Sequence, residues 1–362
     1  MKLILKQIGW LFGALLVLYG ALLAISLLLV PPASVGARLD TGRAAASLFL
    51  TEPKYVFMAR SQLNTEADKV LLLGASNMLF GFKQARLQAL VPDVEVHNLS
   101  VSGSNITQIG QIVDLVREVQ TPEARRHNTY VIGLWYGLFA DDKARWYTAD
   151  RNPGDTDIDI ERYRYGFYER TAAGPRPLLA PQHLDVGVLL IHPYLVMERA
   201  ARDLTRSLRQ FMAAKPPPIT DAQRDAMVLS EADKQKYLEF WRDYMGHAKS
   251  LADASLHVLE YTVDSILSEG GRVILIDLPI PRWHIQGSEL AADYQQRIHP
   301  LLADMQSRSG VVVLHMANIM TDDDFTDEVH PKPRMTEQWV QYLATALGGH
   351  LEMTRARSAG AR

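Results

Sequence analysis

Cysteine is absent from the 362 residues, which excludes disulfides, thiolate zinc sites, iron–sulfur clusters and a thiol nucleophile. Neither sign of charge dominates. The chain has 38 basic and 41 acidic side chains, a net charge of −3, so it has no general electrostatic pull toward nucleic acid. An H-E-x-x-H zinc motif, a P-loop and a dinucleotide fingerprint are all missing. Gly74-Ala75-Ser76-Asn77-Met78 does not fit the G-x-S-x-G elbow of α/β-hydrolases. There is no internal repeat, and nothing in the residue pattern implies a metal or organic cofactor. What remains is an ordinary globular composition, 48% apolar, long enough for one large or two small domains.

One long hydrophobic run stands out. Ile8 to Val30 carries no charge. About 20 apolar residues suffice to cross a bilayer, whereas the apolar region of a cleaved signal peptide is about 7–15 residues long. The run therefore reads as an uncleaved anchor. The alternative, a buried core helix, would need apolar surroundings on every side. Lys2 and Lys6 precede the run, and Arg38 and Arg43 follow it. The slight positive-inside bias predicts a cytoplasmic N-terminus and an extracytoplasmic, periplasmic-side remainder. Pro31-Pro32 stops the helix, and 31–66 reads as a connector.

A regular alternation follows. Lys69–Leu73, Val94–Asn98, Thr129–Leu134, Arg272–Asp277 and Val311–His315 are short β-branched or leucine-rich runs bounded by Gly, Pro or polar residues. Ile106–Val119, Glu289–Ser307 and Thr336–Leu347 carry apolar residues at helical spacing. Strands alternating with helices predict a five-stranded parallel sheet covered on both faces, a flavodoxin-like three-layer α/β sandwich spanning 67–350. Residues at about 141–268 interrupt the alternation and read as a helical insertion. It has a turn at Asn152-Pro153-Gly154, helices over 194–214 and 231–268, and a Pro216-Pro217-Pro218 separator. Residues 351–362 read as a disordered basic tail.

Ligands of open parallel sheets bind beyond the carboxyl ends of the strands. There the sequence places Ser76 and Asn77, then Asn98 to Asn105, Trp135 and Tyr136, Arg282 and His284, and finally Asp327 and His330. A hydroxyl, a base and a carboxylate on one edge suit nucleophilic catalysis, since a serine needs a base and the base needs an orienting group. Blander roles exist for each. Ser76 could cap a helix, Asp327 could belong to a solvated acidic loop, and Asn105 sits three residues before Gln108, as a helix cap does.

At these positions the chain resembles the SGNH/GDSL hydrolase superfamily. Gly74-Ala75-Ser76-Asn77 resembles the first block, G-D-S, with Ala in place of Asp. Asn98 to Gly103 resembles the second block, and Asp327-x-x-His330 the final D-x-x-H block. The resemblance covers roughly residues 67–140 and 270–350. It implies a Ser76–His330–Asp327 triad and an oxyanion hole from the Ser76 and Gly103 amides. Asn77, Trp135, Tyr136, Arg282 and His284 would contact substrate. The family's third block supplies an oxyanion Asn, but this chain has Gly133-Leu134-Trp135-Tyr136 there. Losing such a donor can cost ~10²–10³ in rate. Either Asn105 or Asn77 substitutes, or activity is weak, or the chain is a non-catalytic relative.

The single anchor, the insertion and Leu278-Pro279-Ile280-Pro281-Arg282-Trp283-His284 also resemble DltD-like and exopolysaccharide-acetylation members of the superfamily. That resemblance implies an esterase or O-acyltransferase acting on a cell-envelope glycan or other acylated substrate, with a multi-pass membrane O-acyltransferase as a possible partner. Two other functions remain open. One is a catalytically inactive protein that binds a glycan or an acyltransferase. The other is a membrane-facing lipase or thioesterase, which a long apolar stripe in the insertion would favour; the sequence shows none that is decisive.

Overall fold

The computed structural model describes residues 1–29, 56–57, 60–141, 159, 162–163, 166–179, 183–212, 219–316 and 319–360. Most of the 31–66 connector, the Asn152-Pro153-Gly154 turn and the Pro216-Pro217-Pro218 separator lie outside the described residues. In chain order the elements are α1 (Lys2–Leu29), α2 (Arg60–Leu63), β1 (Lys69–Leu73), α3 (Ser76–Gly81), α4 (Gln84–Leu90), β2 (Glu95–Asn98), α5 (Ile106–Val119), α6 (Pro122–Arg125) and β3 (Asn128–Leu134). Then come β4 (Tyr168–Thr171), β5 (Gly174–Pro177), α7 (Leu184–Met212), α8 (Asp221–Ala226), α9 (Glu231–Tyr244), α10 (Asp253–Ser268), β6 (Arg272–Asp277), α11 (Arg282–Ile285), α12 (Glu289–Gln306), β7 (Val311–His315) and α13 (Pro333–Gly360).

The main sheet is parallel throughout and runs β2-β1-β3-β6-β7. Its order reverses between β1 and β3, which is the switch point where open α/β sheets form their crevice. Crossovers of one hand put connections running in opposite directions on opposite faces. Accordingly, α3 and α4, which lead to β2, share one face with α13. Met78, Phe82, Leu87, Trp339, Val340, Leu343 and Leu347 pack there on Val70, Leu72, Val131, Ile274 and Ile276. On the other face, α5, α10 and α12 cover Leu71, Leu73, Tyr130, Ile132, Val273 and Leu275. Each strand thus feeds both cores by simple alternation.

The region between β3 and β6 differs from the sequence reading in three ways. First, α10 packs against α5 and belongs to the helical layer, so the additional elements end before Asp253 rather than at about 268. Second, the helical stretch expected over 231–268 is two helices, α9 and α10, parted by a turn. Gly246 and His247 take φ of +61° and +57°, left-handed values at which no helix continues. Third, an antiparallel β4–β5 ribbon is present, with two prolines, Pro175 and Pro177, on its second strand. At the C-terminus, helical backbone runs through Gly360, into the stretch read as a disordered tail.

α1 is the one described helix long and apolar enough to cross a membrane. Its 28 residues extend about 42 Å, more than the ~30 Å hydrocarbon core of a bilayer. Ser26 is its only buried residue.

The switch point is tightly built. A Cβ at Gly133, near the end of β3, would fall inside the Met78 side chain and 2.9 Å from Leu278 Cδ1. Gly133→Ala is therefore expected to cost about 1–3 kcal/mol by overpacking, read as a lower midpoint in urea unfolding. An unchanged midpoint would contradict this close approach of α3 to the sheet.

Candidate active site

The loops after β1 and β2 are tied together at the switch point. Leu99 N–H donates to Leu72 O at 2.8 Å, Val101 N–H to Gly74 O at 2.9 Å, and Ser104 Oγ–H to Gly74 O at 3.2 Å. This brings the start of α3 beside the Gly103 loop. Ser76 is the first residue of α3, and Gly103 has φ +73°, a left-handed value that favours glycine. The Tyr244 hydroxyl, from α9, donates to Gly103 O at 2.9 Å and fixes the peptide. The first amides of a helix have no intrahelical acceptor. Neither the Ser76 nor the Gly103 amide has a backbone acceptor among the described residues.

Asp327 and His330 form a closed unit. Asp327 Oδ1 accepts from the amides of Val329 and His330 at 3.1 and 2.9 Å. His330 Nδ1 lies 2.9 and 2.8 Å from the two carboxylate oxygens. An ionised carboxylate only accepts, so Nδ1 carries a proton, and in the neutral form of the ring Nε2 is the nitrogen left with a lone pair. Burial pushes the Asp327 pKa up. The hydrogen bonds and charge of His330, with the two amides, outweigh burial and hold it below the usual carboxylate range. His330 Nε2 is buried without a hydrogen-bond partner among the described residues. The imidazole meets the Phe80 ring edge-on, with centroids 5.2 Å apart. Phe80 is four residues after Ser76 on α3, so the two share one helix face. The Ser76–His330 hydrogen bond is not formed here. Catalytic hydrogen bonds are often long before substrate binds.

A cavity of about 260 Å³ opens on this pair, lined by Phe80, Lys83, Arg224, Thr326, Asp327 and His330. Another, of about 270 Å³, lies beside Tyr136, Trp241, His284 and Leu290. Ser76 lines neither of these cavities and is 8% exposed.

Beside the second cavity, the Tyr136 hydroxyl lies 3.1 Å from His284 Nδ1. Burial pushes the His284 pKa down to about 4, against the opposing charge of Asp327. Burial raises the Tyr136 phenol. Both are neutral near pH 7 and make a neutral hydrogen bond.

Trp241, the one buried residue of α9, reaches the same region. Its Nε1–H donates to Glu328 Oε1 at 2.6 Å, inside the Asp327–His330 segment. Burial raises the Glu328 pKa, and the charge of Asp327 adds to it. Trp241→Phe keeps most of the ring but strips a buried carboxyl of its donor, with an expected cost of about 1–3 kcal/mol. Glu328→Met, which keeps the chain length but removes the acceptor, should show strong coupling in the same background in a thermal-melt double-mutant cycle, and additive losses would contradict the pairing.

The remaining predicted residues separate clearly. Asn105 is a cap. Its side-chain oxygen accepts from Gln108 N–H at 3.1 Å, and its amide nitrogen donates to Asp141 Oδ1 at 2.7 Å. That amide is therefore directed away from the oxyanion role the sequence allowed it. Asn77 accepts from the Met78 amide at 3.0 Å, and its Nδ2 is buried without a partner. Trp135 is buried, its Nε1 has no hydrogen-bond partner among the described residues, and it packs edge-on against Tyr136 and Trp241. Arg282 is exposed, and its amide donates to Asp322 Oδ1 at 2.6 Å.

Sequence reasoning missed Phe80, Trp241, Tyr244 and Glu328. Glu328 was visible inside the acidic segment. The single tryptophan of α9, beside Leu238 and Phe240, was the available signal for Trp241.

The fold defines an α/β protein with a five-stranded parallel sheet and one N-terminal helix able to cross a membrane. No protein-family model matches the chain, and no curated protein matches it.

Proposed function

We propose that this is a membrane-anchored, extracytoplasmic serine esterase or O-acyltransferase of SGNH type, acting on acyl esters of a cell-envelope glycan or exopolysaccharide. The observation that carries the reading is the Asp327–His330 pair, whose imidazole meets the ring of Phe80, four residues after Ser76 on α3.

In this mechanism Ser76 Oγ attacks the ester carbonyl while His330 Nε2 takes its proton. The Ser76 and Gly103 amides hold the tetrahedral oxyanion. Collapse breaks the bond to the alcohol, which leaves with the proton from His330. Water then attacks the acyl-serine in an esterase, and a glycan hydroxyl does so in a transferase. Asp327 holds the imidazole and stabilises its charged form throughout. Asn77 Nδ2 and Trp135 Nε1, buried donors without a partner among the described residues, are candidates to replace the absent third-block Asn. The anchor holds this chemistry beside the membrane, where a multi-pass O-acyltransferase would be the natural source of acyl groups.

The competing reading is a non-catalytic partner that binds a glycan or an acyltransferase. It draws on the tryptophan at position 135 and the unformed Ser76–His330 bond. Purified full-length protein assayed with small acetyl esters separates the two. Turnover abolished by Ser76→Ala supports the esterase. Slow hydrolysis that accelerates when a glycan hydroxyl acceptor is added supports the transferase. No turnover with any acceptor, together with full cellular function of Ser76→Ala, supports the partner.

A further inference from the structure

α7 carries an apolar stripe that nothing in the described residues covers. Val186, Leu190, Met197, Leu204, Leu208 and Phe211 are all exposed, and Phe211 is 87% exposed. Their spacings of four, seven, seven, four and three place them on one face of the helix. Arg199, Arg202, Arg206 and Arg209 recur at three, four and three, and helical periodicity puts these positions opposite the stripe. A helix with an arginine-rich face and a face of large apolar residues has the pattern of an interfacial membrane helix.

A second observation says what covers the stripe. α7 packs against the last turns of α1, where Ser26 Oγ and His192 Nδ1 lie 2.8 Å apart in a buried contact. α7 therefore sits at the end of the apolar helix that is long enough to cross a bilayer. The exposed Leu22, Ile25, Leu28 and Leu29 of α1 lie around the same contact. An apolar surface of this extent on a monomer marks an interaction site.

We propose that α7 lies in the headgroup–acyl boundary of the bilayer that α1 crosses, with the Val186–Phe211 stripe against acyl chains and the arginine face toward headgroups and water. The helix would then hold the α/β domain close to the membrane surface. This rests on the membrane-anchor reading of α1 and is independent of the proposed chemistry.

The cysteine-free chain suits a direct test. The full-length protein, in nanodiscs of phosphatidylcholine and phosphatidylglycerol, receives a single nitroxide at Leu204→Cys, Leu208→Cys or Phe211→Cys. Arg202→Cys and Arg206→Cys sample the opposite face, and Leu16→Cys reports the span. Collision with oxygen, which partitions into lipid, is compared with collision with a water-soluble nickel chelate. The stripe positions should match Leu16→Cys, with an oxygen-to-nickel ratio several-fold above that of the arginine positions. Nickel accessibility equal to that of the arginine positions would show a stripe in water and overturn the proposal. Shielding from both reagents would show protein covering it, a second copy or a partner, and also overturn it. A water-exposed Leu16→Cys would instead remove the anchor, and the proposal with it. With Leu16→Cys in lipid and the stripe in water, only the placement of α7 fails.

Discussion

Ser76→Ala is expected to lower acyl-ester turnover by about 10⁴–10⁶-fold while leaving the fold intact. In the proposed mechanism the Ser76 oxygen forms the bond to the acyl carbon, and among the described residues its side chain makes no hydrogen bond. His330→Ala should cost about as much, and the double variant little more than either alone, because the groups act as a unit. Asp327→Asn is the more revealing change. An Asn oxygen can still accept from the Val329 and His330 amides, so the loop should hold. The carboxylate that fixes the Nδ1–H tautomer is lost, however, and a fall of about 10⁴ in kcat is expected. Steady-state assays beside circular-dichroism melts check this. Wild-type-like turnover in Asp327→Asn would remove Asp327 from the mechanism.

Acid should destabilise the folded protein through His284. Its folded-state pKa is about 4, against ~6.5 in an unfolded chain. Between those values the unfolded state binds the extra proton, so stability rises with pH across that window and falls as pH drops through it. The difference corresponds to about 3 kcal/mol, present in full above pH ~6.5 and lost by about pH 4. Glu328 acts in the opposite sense, because its raised pKa favours the folded state at low pH. The contribution of His284 is therefore read as a difference. His284→Gln can still meet the Tyr136 hydroxyl but does not titrate, so its urea midpoint should vary less between pH 4 and 7 than that of the wild type. Parallel profiles for the two proteins would contradict the buried neutral imidazole.

The strands were legible because each is a short β-branched or leucine-rich run closed by a polar or glycine boundary. The parallel sheet of five such runs is what the structure contains. The extent of α5 was legible for the same local reason, with Asn105 and Gln108 closing a reciprocal cap at its start. Elements whose signals conflict were lost. α7 continues through Pro193, where a missing N–H argues for a break, and tertiary contacts on either side carry the helix across. The β4–β5 ribbon is charged and proline-bearing, so it reads as surface.

Site residues inside one short segment, such as Asp327 and His330, were legible because the spacing itself sets the contact. Trp241 and Glu328 are 87 residues apart, and only the docking of α9 brings them together. Asn105 supported two roles in the sequence, and the position of Asp141, which decides between them, is a property of the fold.

The central claim is that Ser76 is a nucleophile activated by His330. The most direct measurement is intact-mass and peptide-mapping mass spectrometry of the full-length protein after exposure to a fluorophosphonate or sulfonyl fluoride. The account predicts a single covalent adduct on Ser76, absent in Ser76→Ala and nearly absent in His330→Ala. No adduct on the folded wild-type protein, or an adduct on another residue that persists in Ser76→Ala, would contradict it.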